Sequence, residues 1–309
     1  MSYKPFLKWV GGKTQILDTV LDTFPTQMHH YHELFLGGGS VLIEFLTRLQ
    51  LGKIKMSGTI YASDVNPWLI YTYQNVQCRI HELLRELKTL QTHYETSSAN
   101  SEHGTIQRNP ENLEIALEHP ENYYYWIRKQ FNQMRLEKEM KQSCQLSAMF
   151  IFLNKTGFRG VYREGPNGYN VPYGHYRTYK FYDADALIKL SMLFQSVEFR
   201  VKSFDEAWVD IQEGDFVYLD PPYAPEKLTS FVGYTADGFD YDCHQRLFQK
   251  IRGLFNLGIP FVMSNADVSM VKEAFPSMDY HRKIVVCRRA IHSKDPSSIT
   301  NELLIYPKS

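Results

Sequence analysis

Short apolar, β-rich runs recur at residues 32–36, 59–63, 197–201, 216–219, 259–263 and 283–287, separated by stretches whose apolar residues repeat at helical spacing. Half-buried or buried strands need period two or a continuous apolar run, and helices need period 3.6. The alternation therefore predicts an α/β fold with a mostly parallel sheet. The clearest helix covers residues 79–90, where Ile80, Leu83, Leu84, Leu87 and Leu90 follow the i, i+3, i+4, i+7 rule and put one face in a core. From 93 to 110 Ser, Asn, Gly and charged residues replace that period, which predicts an exposed loop without chemistry. No internal repeat or long low-complexity tract interrupts the pattern.

The run Phe216-Val217-Tyr218-Leu219 reads as a buried parallel strand and leads directly into Asp220-Pro221-Pro222-Tyr223. Open α/β sheets place ligands at the carboxyl ends of their strands, so Asp220 belongs in a crevice. The two prolines fix φ and remove two backbone donors, leaving carbonyls to accept from a ligand. Exocyclic amines of nucleobases are poor nucleophiles because the nitrogen lone pair is delocalised into the ring. Acceptors on the N–H groups, here the Asp220 side chain and the Pro221 carbonyl, localise that pair, while Tyr223 offers a ring to stack on the base. Taken alone, the tetrapeptide also reads as a turn after a strand.

Three further motifs narrow the choice. His32-Glu33-Leu34-Phe35-Leu36 runs into Gly37-Gly38-Gly39-Ser40 and a helix start, a strand–turn–helix unit whose glycines let a ligand approach the backbone. Asp64 closes the next strand, where nucleotide-binding folds keep an acid for ribose hydroxyls. This glycine cluster is not G-x-G-x-x-G, so by itself it leaves NAD and S-adenosylmethionine both open. Near the start, Lys8-Trp9-Val10-Gly11-Gly12-Lys13 brackets a Gly-Gly turn with lysines. Lys13 is placed to pair with a carboxylate and Trp9 to cover a ligand, although a buried Trp beside a helix-starting turn is the plainer reading.

At 309 residues with 43% hydrophobic content, the chain can bury a sizeable core. Formal net charge is zero and mean hydropathy is −0.37, so any basic surface must be local. Residues 121–180 supply one, with ten Lys/Arg against four Glu and no Asp, and thirteen aromatics interleaved. That composition suits a polyanion with stackable bases, or equally a Tyr-rich helical core with a solvated basic face. The N-terminal residues hold no apolar leader and no segment approaches the ~20 apolar residues of a membrane span, so a soluble, cytoplasmic protein is expected. Cys78, Cys144, Cys243 and Cys287 form no C-x-x-C pair and read as reduced, packed thiols. His29, His30 and His32 lack a spaced partner, so no metal is expected; they read as surface or core histidines. A zinc deaminase would need a Cys pair that is missing here.

In series, these motifs resemble the Dam-like, alpha-class (D12-type) N6-adenine DNA methyltransferases over nearly the whole chain. The run is FLKWVGGK at 6–13, ELFLGGGS at 33–40, Asp64, YYYWIRKQFN at 123–132, LNKTGFRGVYREGPNGYNVPYGHY at 153–176, DPPYAP at 220–225, MSNAD at 263–267 and RRAI at 288–291. The resemblance implies a Rossmann-like S-adenosylmethionine-dependent methyltransferase sheet with helices on both faces, from residues 1–70 and 190–309. An inserted, mainly helical target-recognition domain with a β-hairpin is implied for 71–189. It also implies S-adenosylmethionine bound by Trp9, Lys13, Glu33, Phe35, Gly37, Gly39, Asp64, Ser203, Phe204 and Asp220. Asp220, Pro221, Pro222 and Tyr223 are then catalytic, acting on an adenine flipped from a short duplex site such as GATC or CATG. Leu34 stands where the family usually has Pro, and the segment after Gly160 is about one residue shorter than the Dam stretch carrying a sequence-reading arginine.

Physical candidates for DNA contact are Arg159 and Arg163 for guanine, Lys8 for a base or phosphate, Asn167 or Asn170 for adenine, and Tyr176. Asn167-Gly168 is equally an ordinary hairpin turn. Double-stranded DNA is the expected partner, a cognate restriction endonuclease remains open, and the expected state is a monomer or weak dimer. Cytosine-N4 transfer, a dinucleotide-dependent oxidoreductase and a non-catalytic nucleic-acid-binding module are the rival readings.

Overall fold

The computed structural model describes residues 3–102, 104–176, 180–226, 238–288 and 299–308. They gather into two compact units, one of Met1–Gly12, Gly37–Gly39 and Asn66–Gln195 and one of Lys13–Leu36, Ser40–Val65 and Ser196–Ser309.

The second unit carries a seven-stranded sheet among its described residues: β1 (Tyr31–Glu33), β2 (Ile60–Asp64), β3 (Val197–Val201), β4 (Phe216–Leu219), β5 (Phe261–Ala266), β6 (Tyr280–Arg288) and β7 (Ile299–Pro307). Their spatial order is β6-β7-β5-β4-β1-β2-β3. Strands β5, β4, β1, β2 and β3 run parallel, and β7 inserts antiparallel between β5 and β6. The fold is thus the mixed α/β type that the strand–helix alternation predicts. The order reverses at β1, the switch point at which such sheets open a crevice.

Side chains alternate across each strand and both faces are covered by apolar groups. On one face Val217, Leu219, Phe261 and Met263 join Leu247, Phe248, Ile251 and Leu254 of the helix Tyr241–Asn256 in one buried cluster. On the other, Phe216 lies 4.5 Å from Phe24, and Tyr31 stacks at 4.0 Å on Phe45 of the helix α1 (Ser40–Gln50).

Beneath the amino ends of β1 and β4, the wholly buried Asp215 carboxylate takes three bonds. The donors are the His30 N–H at 3.1 Å, the Gln212 N–H at 3.0 Å and the His32 imidazole at 2.9 Å. Burial lowers the His32 pKa despite that carboxylate, so the ring is neutral near pH 7 and donates from Nε2. The histidine cluster therefore splits into a core His32 and an exposed His29.

The first unit is mainly helical: α2 (Pro67–Cys78), α3 (Ile80–Ala99), α4 (Pro120–Met134), α5 (Cys144–Thr156) and the helix Ala184–Leu193. Helix α2 starts where Asn66 accepts from the Trp68 and Leu69 amides, with Pro67 in the first turn. The loop expected from residue 93 is corrected, because α3 continues to Ala99. Tyr94 and Ser97 extend the buried stripe of Leu83, Leu87 and Leu90 with polar residues that satisfy themselves. The Tyr94 hydroxyl bonds that of Tyr173 at 2.7 Å and Ser97 donates to the Tyr94 carbonyl at 2.8 Å. Packed thiols throughout is also corrected: Cys144 is buried but Cys78 is exposed.

A hairpin pairs Glu164–Gly165 with Gly168–Tyr169, leaving Pro166 and Asn167 as its turn, with Gly168 at φ +92°. Asn132 of α4 clamps that hairpin by accepting from the Tyr169 N–H at 2.8 Å and donating to its carbonyl at 2.9 Å.

Asp215→Ala leaves three donors without this acceptor, among them the buried His32 imidazole. It is expected to lower the unfolding free energy by about 3 kcal/mol, seen as a lower urea midpoint at unchanged slope. A loss under about 0.5 kcal/mol would show that the triad does not hold β1 and β4 together.

Candidate functional site

Parallel registry puts the chemistry of the second unit at one edge of its sheet. Glu33 stands opposite Ala62 on β2 and Tyr218 on β4, so Asp64 and Asp220, each two residues further on, pass the strand ends at one level. Between them β1 leads into Phe35.

Asp220 is the electrostatic focus. Its Oδ2 lies 2.7 Å from the ammonium of Lys13, whose side chain is only 2% exposed. The Lys13 backbone is fixed in turn, its N–H donating to Ser40 Oγ at 3.1 Å at the start of α1. Burial raises the Asp220 carboxyl, the charge and hydrogen bond of Lys13 oppose that rise, and the nearby Glu302 charge adds to it, leaving the group at about 6. It is therefore ionised at neutral pH. Glu33, wholly enclosed, is pushed by burial to about 8 although the Tyr31 hydroxyl donates to it at 2.7 Å. Mostly protonated at neutral pH, it differs in charge from Asp220, whose field it feels.

Tyr223 is held from two sides. Its hydroxyl donates to Glu302 Oε2 at 2.7 Å, and Lys13 Nζ lies 5.1 Å from its ring centroid. The next residue, Ala224, donates its N–H to Asn265 Oδ1 at 3.0 Å, while Asn265 also takes the Ala266 N–H at 2.8 Å. The Asn265 Nδ2, wholly buried, has no hydrogen-bond partner among the described residues. Sequence reasoning assigned no role to Glu302 or Asn265. Asn265 lies in the MSNAD motif, but Glu302 is reached only through the insertion of β7, a strand that the apolar pattern alone did not reveal.

Phe35 and Phe204 stack at 5.9 Å, with Phe239 5.6 Å from Phe204. Ser203 caps the short helix Phe204–Ala207: its hydroxyl accepts the Glu206 N–H, and the Glu206 carboxylate accepts from the Ser203 N–H and hydroxyl. Asp64 ends β2, and its carbonyl accepts the Lys202 N–H at 3.2 Å. The strand ends of this unit thus carry carboxyl groups at Glu33, Asp64 and Asp220 and a stacked ring pair, the side-chain chemistry that a cationic ligand with a flat base would need.

Trp9, Gly37 and Gly39 belong to the first unit. Gly37 and Gly39 both take positive φ, +50° and +66°, as the glycine loop requires. A Cβ on Gly37 would meet the Trp9 ring at 2.9 Å, and one on Gly39 the Tyr73 hydroxyl at 2.5 Å. The bare backbone thus admits two aromatic side chains in addition to any ligand. Trp9 stacks in turn on Tyr162, 5.9 Å away.

The DNA-contact candidates also lie in the first unit. Lys8 places its ammonium 3.9 Å from the Tyr176 ring centroid and donates to the Lys155 carbonyl at 3.2 Å. Burial and the charge of Lys8 lower the Lys155 ammonium to about 8. Arg163 and Asn170 meet each other, with Nε to Oδ1 at 2.7 Å. Arg159, exposed at φ +56°, lies over Phe158. Asn167 sits in the hairpin turn and lines a cavity of about 490 Å³ together with Arg108, Arg128, Lys129 and Arg135. The aromatics of 121–180 divide. Tyr123, Tyr124, Phe131, Phe150, Phe152, Tyr169 and Tyr173 are core, whereas Phe158 is exposed and Trp126, Tyr162 and Tyr176 are half-buried. Residues 289–291 of the RRAI motif lie outside the described residues. Among the described residues no group of His, Cys, Asp and Glu could hold a metal ion, and no helix is long and apolar enough to cross a membrane.

Comparison with known proteins extends the match beyond these residues. The family model of the D12 class N6 adenine-specific DNA methyltransferases matches residues 9–291. The type II methyltransferase M.MjaIII of Methanocaldococcus jannaschii is 33% identical over 305 residues, covering 95% of this chain and 94% of that protein. The DNA adenine methylase of Escherichia coli K12 is 28% identical over 292 residues, 94% of this chain and 90% of that one. That of Haemophilus influenzae is 25% identical over 285 residues, 91% and 86% of the respective chains. Similarity that runs from the Trp9 motif past β6, and spans nearly all of each relative, reaches both units, and the chain belongs to the D12 class of N6 adenine-specific DNA methyltransferases.

Proposed function

We propose that this enzyme transfers a methyl group from S-adenosylmethionine to N6 of an adenine flipped out of a short duplex site such as GATC or CATG. The observation that carries this reading is the ionised Asp220 carboxylate, paired at 2.7 Å with Lys13 and followed by Pro221, Pro222 and a Tyr223 whose hydroxyl is anchored. When bound, S-adenosylmethionine would supply a methyl on a cationic sulfur: the N6 lone pair forms the N–C bond, the S–C electron pair returns to sulfur to leave S-adenosylhomocysteine, and N6 releases one proton to solvent.

Asp220 accepts one N6–H and the Pro221 carbonyl the other, which directs the lone pair away from the ring. Tyr223 stacks on the base and holds it out of the duplex. Glu33, Phe35, Asp64, Ser203, Phe204 and Lys13, with Trp9, Gly37 and Gly39, hold the donor. In this reading residues 1–70 and 190–309 carry catalysis, and 71–189 recognise the target through Arg159, Arg163, Asn167, Asn170 and Tyr176, joined by Lys8 from the N-terminal segment. The basic cavity beside Asn167 supports a polyanionic partner. The type II name of M.MjaIII supports a restriction endonuclease acting on the same site as partner.

Asp220→Ala is expected to lower kcat at least 100-fold at saturating donor while the protein still melts cooperatively. Turnover within a few-fold of wild type would remove Asp220 from the mechanism. Digestion of methylated DNA followed by mass spectrometry should yield N6-methyladenine; methylcytosine as sole product would select the cytosine rival.

Because Asp220 must be ionised, kcat/KM should fall about tenfold per pH unit below about pH 6. Glu33, protonated in the free enzyme up to about pH 8, should release its proton to solvent when the cationic donor binds. Calorimetry of S-adenosylmethionine binding at pH 7 in buffers of different ionisation enthalpy should report a fraction of one proton released. Glu33→Gln should abolish that buffer dependence, and its persistence would exclude Glu33 as the source.

A further inference from the structure

Glu302 ties the two ends of the Asp220–Tyr223 tetrapeptide together from a strand distant in sequence. Its Oε2 accepts the Tyr223 hydroxyl at 2.7 Å and lies 3.9 Å from Lys13 Nζ, whose other carboxylate partner is Asp220 at 2.7 Å. The side chain is 12% exposed, so both interactions work in a desolvated setting. We propose that Glu302 is a positioning residue for methyl transfer, setting the plane of the Tyr223 ring and dividing the charge of Lys13 with Asp220. The inference rests on the roles given above to Asp220 and Tyr223.

The geometry separates two jobs. Tyr223 turns about two side-chain torsions, and the backbone beyond it is already held at Ala224 by Asn265. The hydroxyl bond to Glu302 fixes the far end of the ring, which a stacking platform needs if the base is to present N6 within a narrow range of directions.

The second job is electrostatic. Two carboxylates face one ammonium, so Glu302 both repels charge on Asp220 and takes a share of Lys13. Glu33 from β1 and Tyr218 from β4 are further titratable groups among the described residues that face this cluster. The residues paired with Glu302 across β7, Val285 and Ala266, are uncharged. Removing the Glu302 charge therefore makes Asp220 a stronger acid.

A purely structural Glu302 would affect stability and leave the pH dependence of the rate alone. Glu302→Gln keeps an acceptor for Tyr223 and removes the charge; Glu302→Leu removes both. Rates of single-turnover methylation of a duplex oligonucleotide, measured from pH 5 to 9, separate the two jobs. The acid limb of Glu302→Gln should move to lower pH, so that at pH 5.5 the variant keeps a larger fraction of its own plateau rate than wild type does. Glu302→Leu should lose about tenfold in plateau rate, the size of one hydrogen bond to a charged acceptor, with DNA affinity changed less than twofold. Combined with Tyr223→Phe, it should cost little more than either change alone.

An unmoved acid limb in Glu302→Gln, or rate losses equal to the unfolded fraction measured by thermal melting, would overturn the role of Glu302 while leaving Asp220 in place. Near wild-type methylation by Asp220→Ala would instead overturn the reading beneath it.

Discussion

The structure turns on a buried charge pair, Lys13 with Asp220, at the carboxyl edge of a parallel sheet. A carboxylate taken out of water rises in pKa and stops accepting hydrogen bonds at the pH where an amino group must be held. A lysine 2% exposed and 2.7 Å away is the counterweight, and much of the second unit serves to place it. Ser40 pins its backbone at the mouth of α1, and β4 delivers Asp220 level with Phe35 and Asp64. From the other side β7 brings Glu302 within reach of both Lys13 and Tyr223. Glu33, held mostly protonated by its enclosure, adds no full negative charge to those of Asp220 and Glu302 at neutral pH.

The site was legible in proportion to how local its causes are. Strands β3 and β4 occupy the residues that their apolar runs mark: β4 is buried throughout and needs nothing beyond such a run, and β3, at the sheet edge, turns Val197 and Phe199 inward. Asp220 followed from its place after β4, and Lys13 from a cation beside a Gly-Gly turn. Strand β1 proved shorter than its apolar run: by Leu36 the chain already bonds the Ser63 carbonyl and is turning into the glycine loop. Helix α3 outran its apolar period because Tyr94 and Ser97 look polar in sequence and are satisfied only by partners that folding brings near.

Glu302 was not legible. Its strand enters the sheet antiparallel between β5 and β6, and nothing local announces which neighbours it will meet. The basic aromatic segment was legible only in part. Charge and ring content are compositional, but which rings are core depends on α3, α4 and α5 packing together. Tyr123, Tyr124 and Phe152 vanish into that packing, while the arginines around Asn167 stay at a cavity wall. Glycines at 37 and 39 were expected for ligand approach; what the structure shows at them is room for the Trp9 and Tyr73 side chains.

The most direct test of the charge pair is the ionisation of Asp220 itself. The side-chain carboxyl of Asp220, followed by ¹³C NMR in aspartate-labelled protein and assigned with Asp220→Asn, should titrate near pH 6 in the wild type. In Lys13→Met it should titrate at clearly higher pH, with the fold retained. An Asp220 resonance that titrates alike in both proteins would mean that Lys13 does not hold the carboxylate ionised, and the account built on that pair would fail.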